Sequence, residues 1–95
     1  MISEDLKQAL RQSVWDYDVT DADLADIFEG RKRTFSLNRE KLCARLLVSV
    51  HWYRLLDLLG RPGVMALLED EVLRQIRHRD VRDRFVYARR LLGGS

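Results

Sequence analysis

The 95-residue sequence contains a single cysteine, a single proline and only five glycines, and each scarcity excludes a class of structure. One cysteine cannot form an intramolecular disulfide or a cysteine-rich zinc site, so a reducing, cytoplasmic environment is expected. The glycines stand at positions 30, 60, 63, 93 and 94 and form none of the loops that cradle phosphates. So little proline and glycine also excludes a disordered or fibrous chain.

Long apolar runs are missing as well. The longest nearly apolar stretch, residues 46–59, is interrupted by polar side chains and is shorter than the roughly 20 residues that a membrane-spanning helix needs. The first residues lack the basic and apolar regions of a secretory signal. We therefore expect a cytoplasmic protein with no membrane association.

Apolar side chains recur at helical spacing along most of the sequence, and no stretch alternates as a half-buried strand would. The apolar stripes cover residues 2–14, 24–28, 42–59, 64–76 and 81–92. Ser3, near the start of the first stripe, and Thr20 and Asn38, before the second and third, are expected to cap the helices. The sequence thus predicts an all-α protein, a compact bundle of about five helices forming one domain over residues 1–95, with residues 93–95 frayed.

The apolar face of the third helical region changes direction midway. Leu42 and Leu46 lie on one side of a continuous helix, whereas Leu55 and Leu59 lie on roughly the opposite side. Either the helix breaks near residues 49–50, or one long helix is buried on two sides. Because no proline or glycine marks a break, we favour a continuous helix that forms the hub of the bundle.

The formal net charge of +2 conceals a segregation of charge along the chain. Residues 1–29 carry eight acids and two bases, and residues 30–68 carry eight bases and two acids. Residues 69–71 are all acidic, and residues 74–95 carry seven arginines and two aspartates. Such polarity allows pairing within the chain, head-to-tail self-association or attraction of a charged partner. Which of these three applies depends on whether the acidic residues 1–29 lie against the arginines of residues 74–95.

No group of side chains has the spacing of a catalytic or metal site. Asp16 and Asp18 open a segment like a calcium loop, but the glycine and the glutamate that such a loop requires are missing, so turn hydrogen bonds or arginine pairing are expected. His51 and His78 stand too far apart for a short zinc motif, and Cys43 on an apolar helix face is expected in the core. We predict a protein that is not an enzyme and holds no cofactor or metal.

The arginines of the C-terminal segment form the candidate binding patch. They are Arg74, Arg77, Arg79, Arg82, Arg84, Arg89 and Arg90. Arginine binds phosphates and carboxylates alike, so a nucleic-acid partner is one interpretation. Three features speak against it: the arginines are spread around the helix, no exposed aromatic side chains are evident among them, and the acidic N-terminal third would repel phosphates.

Three segments resemble a small uncharacterised bacterial helical family. They are Trp15-Asp16-Tyr17-Asp18, Arg45-Leu46-Leu47, and the stretch from His51-Trp52 to Leu59-Gly60. Members of that family show a W-D-x-D segment, an R-V-L helix and a D-W-x-x-L-L-x-x-Y-G helix end. Their genes often lie beside genes for toxins of the abortive-infection nucleotidyltransferase type. The resemblance spans about residues 13–92 and implies an antitoxin-like or accessory partner of such a toxin.

Six residues match the family's motif positions: Trp15, Asp16, Asp18, Arg45, Trp52 and Gly60. A scaffold role is favoured for them over direct contact with a partner. In that role the two tryptophans are core anchors, one of the two aspartates pairs with the arginine, and the glycine is a left-handed helix cap.

The leading hypothesis is a non-enzymatic protein-interaction module, with a toxin as the partner that the resemblance implies. The alternative is a small nucleic-acid-binding helical domain that uses the C-terminal arginines. A homodimer is compatible with both, because a small bundle with opposite charges at its ends can pair in two-fold symmetry.

Overall fold

The computed structural model describes residues 3–34 and 37–93, and these residues form six helices and no strand. The helices are α1 Glu4–Ser13, α2 Asp21–Phe28, α3 Arg39–Ser49, α4 Trp52–Leu67, α5 Asp70–Leu73 and α6 Arg79–Gly93. The predicted all-α bundle is confirmed. Residue 2 of the first stripe, residues 35–36 and residues 94–95 of the expected frayed end lie outside the described residues. Gly93, the first residue of that expected frayed end, is instead the last helical residue of α6. No helix in the described ranges has the length and apolar character to cross a bilayer.

Helices α1, α2 and α3 begin at the predicted caps. The side chains of Ser3, Thr20 and Asn38 each accept a hydrogen bond from the backbone N–H three residues later, at 3.2, 3.1 and 2.9 Å. Each bond satisfies a donor that the start of a helix leaves unpaired, and losing such a bond costs about 1 kcal/mol of stability. The helix starts are therefore fixed by local chemistry.

The continuous helix favoured over residues 39–59 is wrong, because the chain leaves the helix after Ser49. Val50 has an extended backbone with φ −108° and ψ 137°. His51 then caps α4, its Nδ1 accepting a hydrogen bond from the N–H of Tyr53 at 3.3 Å. The break lets α3 and α4 each turn its own apolar face to the core, which explains the change of direction. The hub is α3 alone, which packs against α1, α2, α4 and α5.

The predicted stop at Gly60 is present as a kink inside α4. Gly60 has φ 71° and ψ 169°, a conformation that essentially only glycine adopts. It is not the expected left-handed helical cap, because its extended ψ directs the chain out of the first helical axis. The helix resumes at Arg61 with Pro62 in its first turn, where the missing N–H of proline costs nothing.

The fourth predicted stripe is buried, but two helices share it. Val64, Leu68, Val72 and Ile76 are all at most 5% exposed, although the helical conformation ends at Leu67 and resumes at Asp70. The helix number therefore rises from the predicted five to six in the described chain.

Helix α6 lies on the outside of the bundle against α4 and α5. Its predicted inward side chains are Val81, Phe85, Ala88 and Leu92, and all four are half-buried; no residue of this helix is fully buried. The ring of Trp52 contacts that of Phe85, with 6.4 Å between centroids. The arginine-rich helix is thus held on one side only.

Candidate functional site

The first candidate surface is the Trp15 turn, which we define as residues 13–17 following α1. Trp15 is 78% exposed, so its expected role as a core anchor is wrong. The neighbouring Val14 is fully buried, and the N–H of Tyr17 donates to the carbonyl of Val14 at 2.9 Å to close the turn. Burying Val14 turns the adjacent indole outward.

Arg45 of α3 fixes this turn. Its Nε donates to the carbonyl oxygen of Ser13 at 2.9 Å, and its Nη2 donates to Oδ1 of Asp16 at 2.6 Å. The guanidinium carbon also lies 5.7 Å from the ring centroid of Tyr17, within the range of a cation–π contact. The expected pairing of Arg45 with one of the two aspartates is therefore present, and Asp16 is the partner.

The other motif positions divide between scaffold and surface. Trp52 is half-buried and packs against the core, and through Phe85 it supports α6, so it has the expected scaffold role. Asp18 is exposed and makes no ion pair with any described residue. Trp15 and Asp18 are thus the exposed side chains of the W-D-x-D segment that no described residue holds by an ion pair or a side-chain hydrogen bond, whereas the exposed Asp16 is bound by Arg45.

Most acids of residues 1–29 pair with bases in the first half of the chain. Asp21 contacts Arg11 at 2.8 Å, and Asp23 contacts Lys32 at 2.5 Å. Arg31 contacts both Asp26 and Glu29, each at 2.9 Å. The hydrogen bond from Lys32 lowers the pKa of Asp23 below its usual value. Each exposed pair contributes little stability, but together with Asp16 and Arg45 they neutralise much of the acidic segment.

The acidic start does not cover the arginine-rich end. Within residues 3–34 and 37–93, no ion pair joins an acid of the first 29 residues to any of the seven C-terminal arginines. Of the seven, only Arg89 makes an ion pair with a described residue: its Nη1 donates to Oδ1 of Asp70 at 2.6 Å and to the carbonyl of Leu68 at 3.1 Å. This contact holds the pKa of Asp70 below its usual range. The other six arginines make no ion pair with a described residue, so their charges are available to solvent or to a partner.

The second candidate surface is the α6 outer face, which we define as Arg84, Tyr87, Arg90 and Leu91. Tyr87 is 62% and Leu91 60% exposed. Arg84 and Arg90 stand three residues before and after Tyr87, which places them about 60° to either side of it around the helix. The expectation that no exposed aromatic side chain lies among the arginines is therefore wrong. The exposure of Tyr87 could have been predicted from the sequence, because at helical spacing Tyr87 lies opposite the apolar stripe of Phe85, Ala88 and Leu92.

Among the described residues, the other candidate side chains do not form a metal site. Burial raises the pKa of the Cys43 thiol to about 11, so it is a core side chain as expected. No three histidine, cysteine or acidic side chains converge on a metal-sized position in the parts of the chain described. An open cavity of about 550 Å³ is lined by residues 30–33 and 38–40. Three of its four bases, Arg31, Lys32 and Arg39, already pair with carboxylates.

No family model, curated protein or solved structure matches the chain.

Proposed function

We propose that the protein is a non-enzymatic interaction module that binds a partner protein through the Trp15 turn. The observation that supports this is an indole 78% exposed on a turn whose other residues are held in place. Val14 is buried, Asp16 and the Ser13 carbonyl are bound by Arg45, and Tyr17 packs against the core. Tryptophan is among the residues that contribute most to interfaces. An anchor fixed before binding loses less conformational entropy on association.

The surroundings of the turn define the partner's chemistry. The indole requires an apolar pocket of its own size, because most of its surface is in water in the free protein. Asp18, exposed three residues further on, favours a basic side chain at the rim of that pocket. The proposed partner is thus a protein with an apolar pocket beside a lysine or arginine.

The finer identity of the partner comes from the family resemblance. We propose an antitoxin-like or accessory role in the bacterial cytoplasm, in which a toxin of the nucleotidyltransferase type supplies the pocket. Self-association as a homodimer remains a separate prediction.

Co-expression with the product of the neighbouring gene, followed by size-exclusion chromatography, tests the proposal. We expect a stable complex with the natural chain, loss of the complex with Trp15→Ala, and no loss with Tyr53→Ala, which removes another aromatic side chain of similar exposure, 71%. The elution volume of the protein alone reports whether it is a dimer. Separate elution of the two proteins at micromolar concentration, or a complex that Trp15→Ala leaves intact, would contradict the proposed role of the turn.

A further inference from the structure

The α6 outer face differs in charge and chemistry from the Trp15 turn, and we infer that it binds single-stranded nucleic acid. The function proposed above does not require this second surface. The inference rests on the arrangement of one aromatic ring and two unpaired arginines on the exposed side of a helix.

The two arginines of this face are not neutralised by an ion pair. Neither Arg84 nor Arg90 makes an ion pair or a side-chain hydrogen bond with any described residue. Two exposed acids, Asp83 and Asp80, stand four and seven residues before Tyr87 on the same side of the helix. From Tyr87 to Gly93 the helix contains two arginines and no acid, and Arg89 is turned inward to Asp70. A polyanion that follows the helix from Tyr87 to Gly93 therefore meets no acid of α6.

The position of Tyr87 favours a nucleic acid strand over a simple anion. Each arginine is displaced from Tyr87 by about 4.5 Å along the helix and about 60° around it, in opposite directions. A base stacked on the phenol ring would therefore have a guanidinium on each side for the phosphates before and after it. Aromatic stacking together with arginine contacts to the backbone is how proteins bind single strands without sequence preference. A duplex keeps its bases stacked inside and offers no such face to the ring.

The ion pairs also reduce the main electrostatic obstacle. The acids of residues 1–29 would repel phosphates if all were free, but Asp16, Asp21, Asp23 and Asp26 are each paired with a base, and Asp18 is an exposed acid without an ion pair to a described residue. None of those pairs uses an arginine of α6. Arg77, which precedes α6, is exposed and makes no ion pair with a described residue, and it extends the basic surface beyond the outer face.

Fluorescence anisotropy with labelled oligonucleotides tests the inference. The probes are an oligothymidylate and an oligouridylate of about 15 nucleotides, titrated with the full chain between about 20 and 300 mM salt. We expect both strands to bind, with the logarithm of the association constant falling by about 0.7 per neutralised phosphate for each tenfold rise in salt.

Charge variants test the two arginines. The double variant Arg84→Gln with Arg90→Gln should weaken binding and make the salt slope shallower by about 1.4, because two phosphate contacts are lost. The matched control is Arg33→Gln with Lys41→Gln, which removes the same charge from two exposed residues outside α6. We expect the control to leave the slope unchanged.

Aromatic variants test the stacking. Tyr87→Ala should lower the affinity by roughly five- to a hundredfold without changing the salt slope, whereas Tyr87→Phe should retain most of the affinity. Tyr53→Ala is the control for loss of an exposed ring elsewhere. Circular dichroism confirms that each variant remains helical before it is titrated.

Four results would overturn the inference. They are no binding of either strand at the lowest salt, equal effects of the α6 variants and their controls, equal affinity for a duplex of the same length, and binding of a polyglutamate peptide where neither oligonucleotide binds. The last result would assign the face to an acidic protein instead.

Discussion

Arg45→Met should destabilise the protein by about 2.5 kcal/mol, because one guanidinium fixes three residues of the Trp15 turn. The bond to the half-buried Ser13 carbonyl contributes about 1.5 kcal/mol, as expected for a charged donor. The pair with Asp16 contributes at most about 0.5 to 1 kcal/mol, since the two side chains are 38% and 42% exposed. The cation–π contact with Tyr17 adds about 0.5 kcal/mol. Methionine preserves the unbranched stem and the helix propensity.

Urea and thermal unfolding measure this cost. For a domain of this size, a loss of about 2.5 kcal/mol lowers the melting temperature by roughly 10 to 20 °C. Asp16→Asn is the matched control, because it weakens the ion pair but leaves the bond to Ser13 and the contact with Tyr17; we expect it to cost about 0.5 to 1 kcal/mol. If Arg45→Met costs no more than Asp16→Asn, the arginine does not fix the turn, and the preorganisation of Trp15 has no physical basis.

Three further predictions concern the two tryptophans, the kink and the attachment of α6. Trp15→Ala should change the free energy of unfolding by no more than about 0.5 kcal/mol, whereas Trp52→Ala should lower it by about 2 kcal/mol. Urea unfolding measures both values, and a larger loss for Trp15→Ala than for Trp52→Ala would contradict the assigned positions. Gly60→Ala should cost about 1 to 3 kcal/mol in the same assay, because alanine is strained at φ 71° and ψ 169°; an unchanged midpoint would show that the kink is not required. Because Arg89 lowers the folded-state pKa of Asp70, the pair contributes stability above the unfolded pKa of about 3.8 and loses it as the pH falls through the folded value. The stability difference between the natural chain and Arg89→Gln should therefore shrink over this acid range to the part that comes from the bond to the Leu68 carbonyl, and a difference that does not change with pH would refute the assignment.

The sequence predicts those parts of the fold that depend on neighbouring residues. Ser3, Thr20 and Asn38 cap helices as expected, because each cap needs only a side-chain oxygen and an N–H three residues away. The break after Ser49 is the alternative that the sequence does not favour, since Val50 and His51 are tolerated within helices and only the packing of two faces makes the break favourable. Local signals thus locate helix starts better than breaks.

The candidate site depends on contacts distant in sequence. The exposure of Trp15 follows from Arg45, which lies 29 residues after Asp16, so no local pattern distinguishes this tryptophan from the half-buried Trp52. Tyr87 differs, because its position opposite the apolar stripe of α6 can be read from the helical period alone. The ion pairs of residues 1–29 depend on which side chains lie close together in the fold. The charge totals of the segments do not specify this.

The shallow attachment of α6 makes this helix the first part of the bundle expected to open. Its inward apolar side chains are only half-buried, and the polar contacts that hold it are those of Arg89 and the bond from Arg61 to the carbonyl of Leu92 at 2.7 Å. Its amide hydrogens should therefore exchange with solvent through local opening, whereas those of the central α3 should require global unfolding. A ligand that binds only the folded α6 would slow hydrogen exchange in this helix and not in the rest of the bundle. Exchange in α6 would therefore report whether the outer face is occupied.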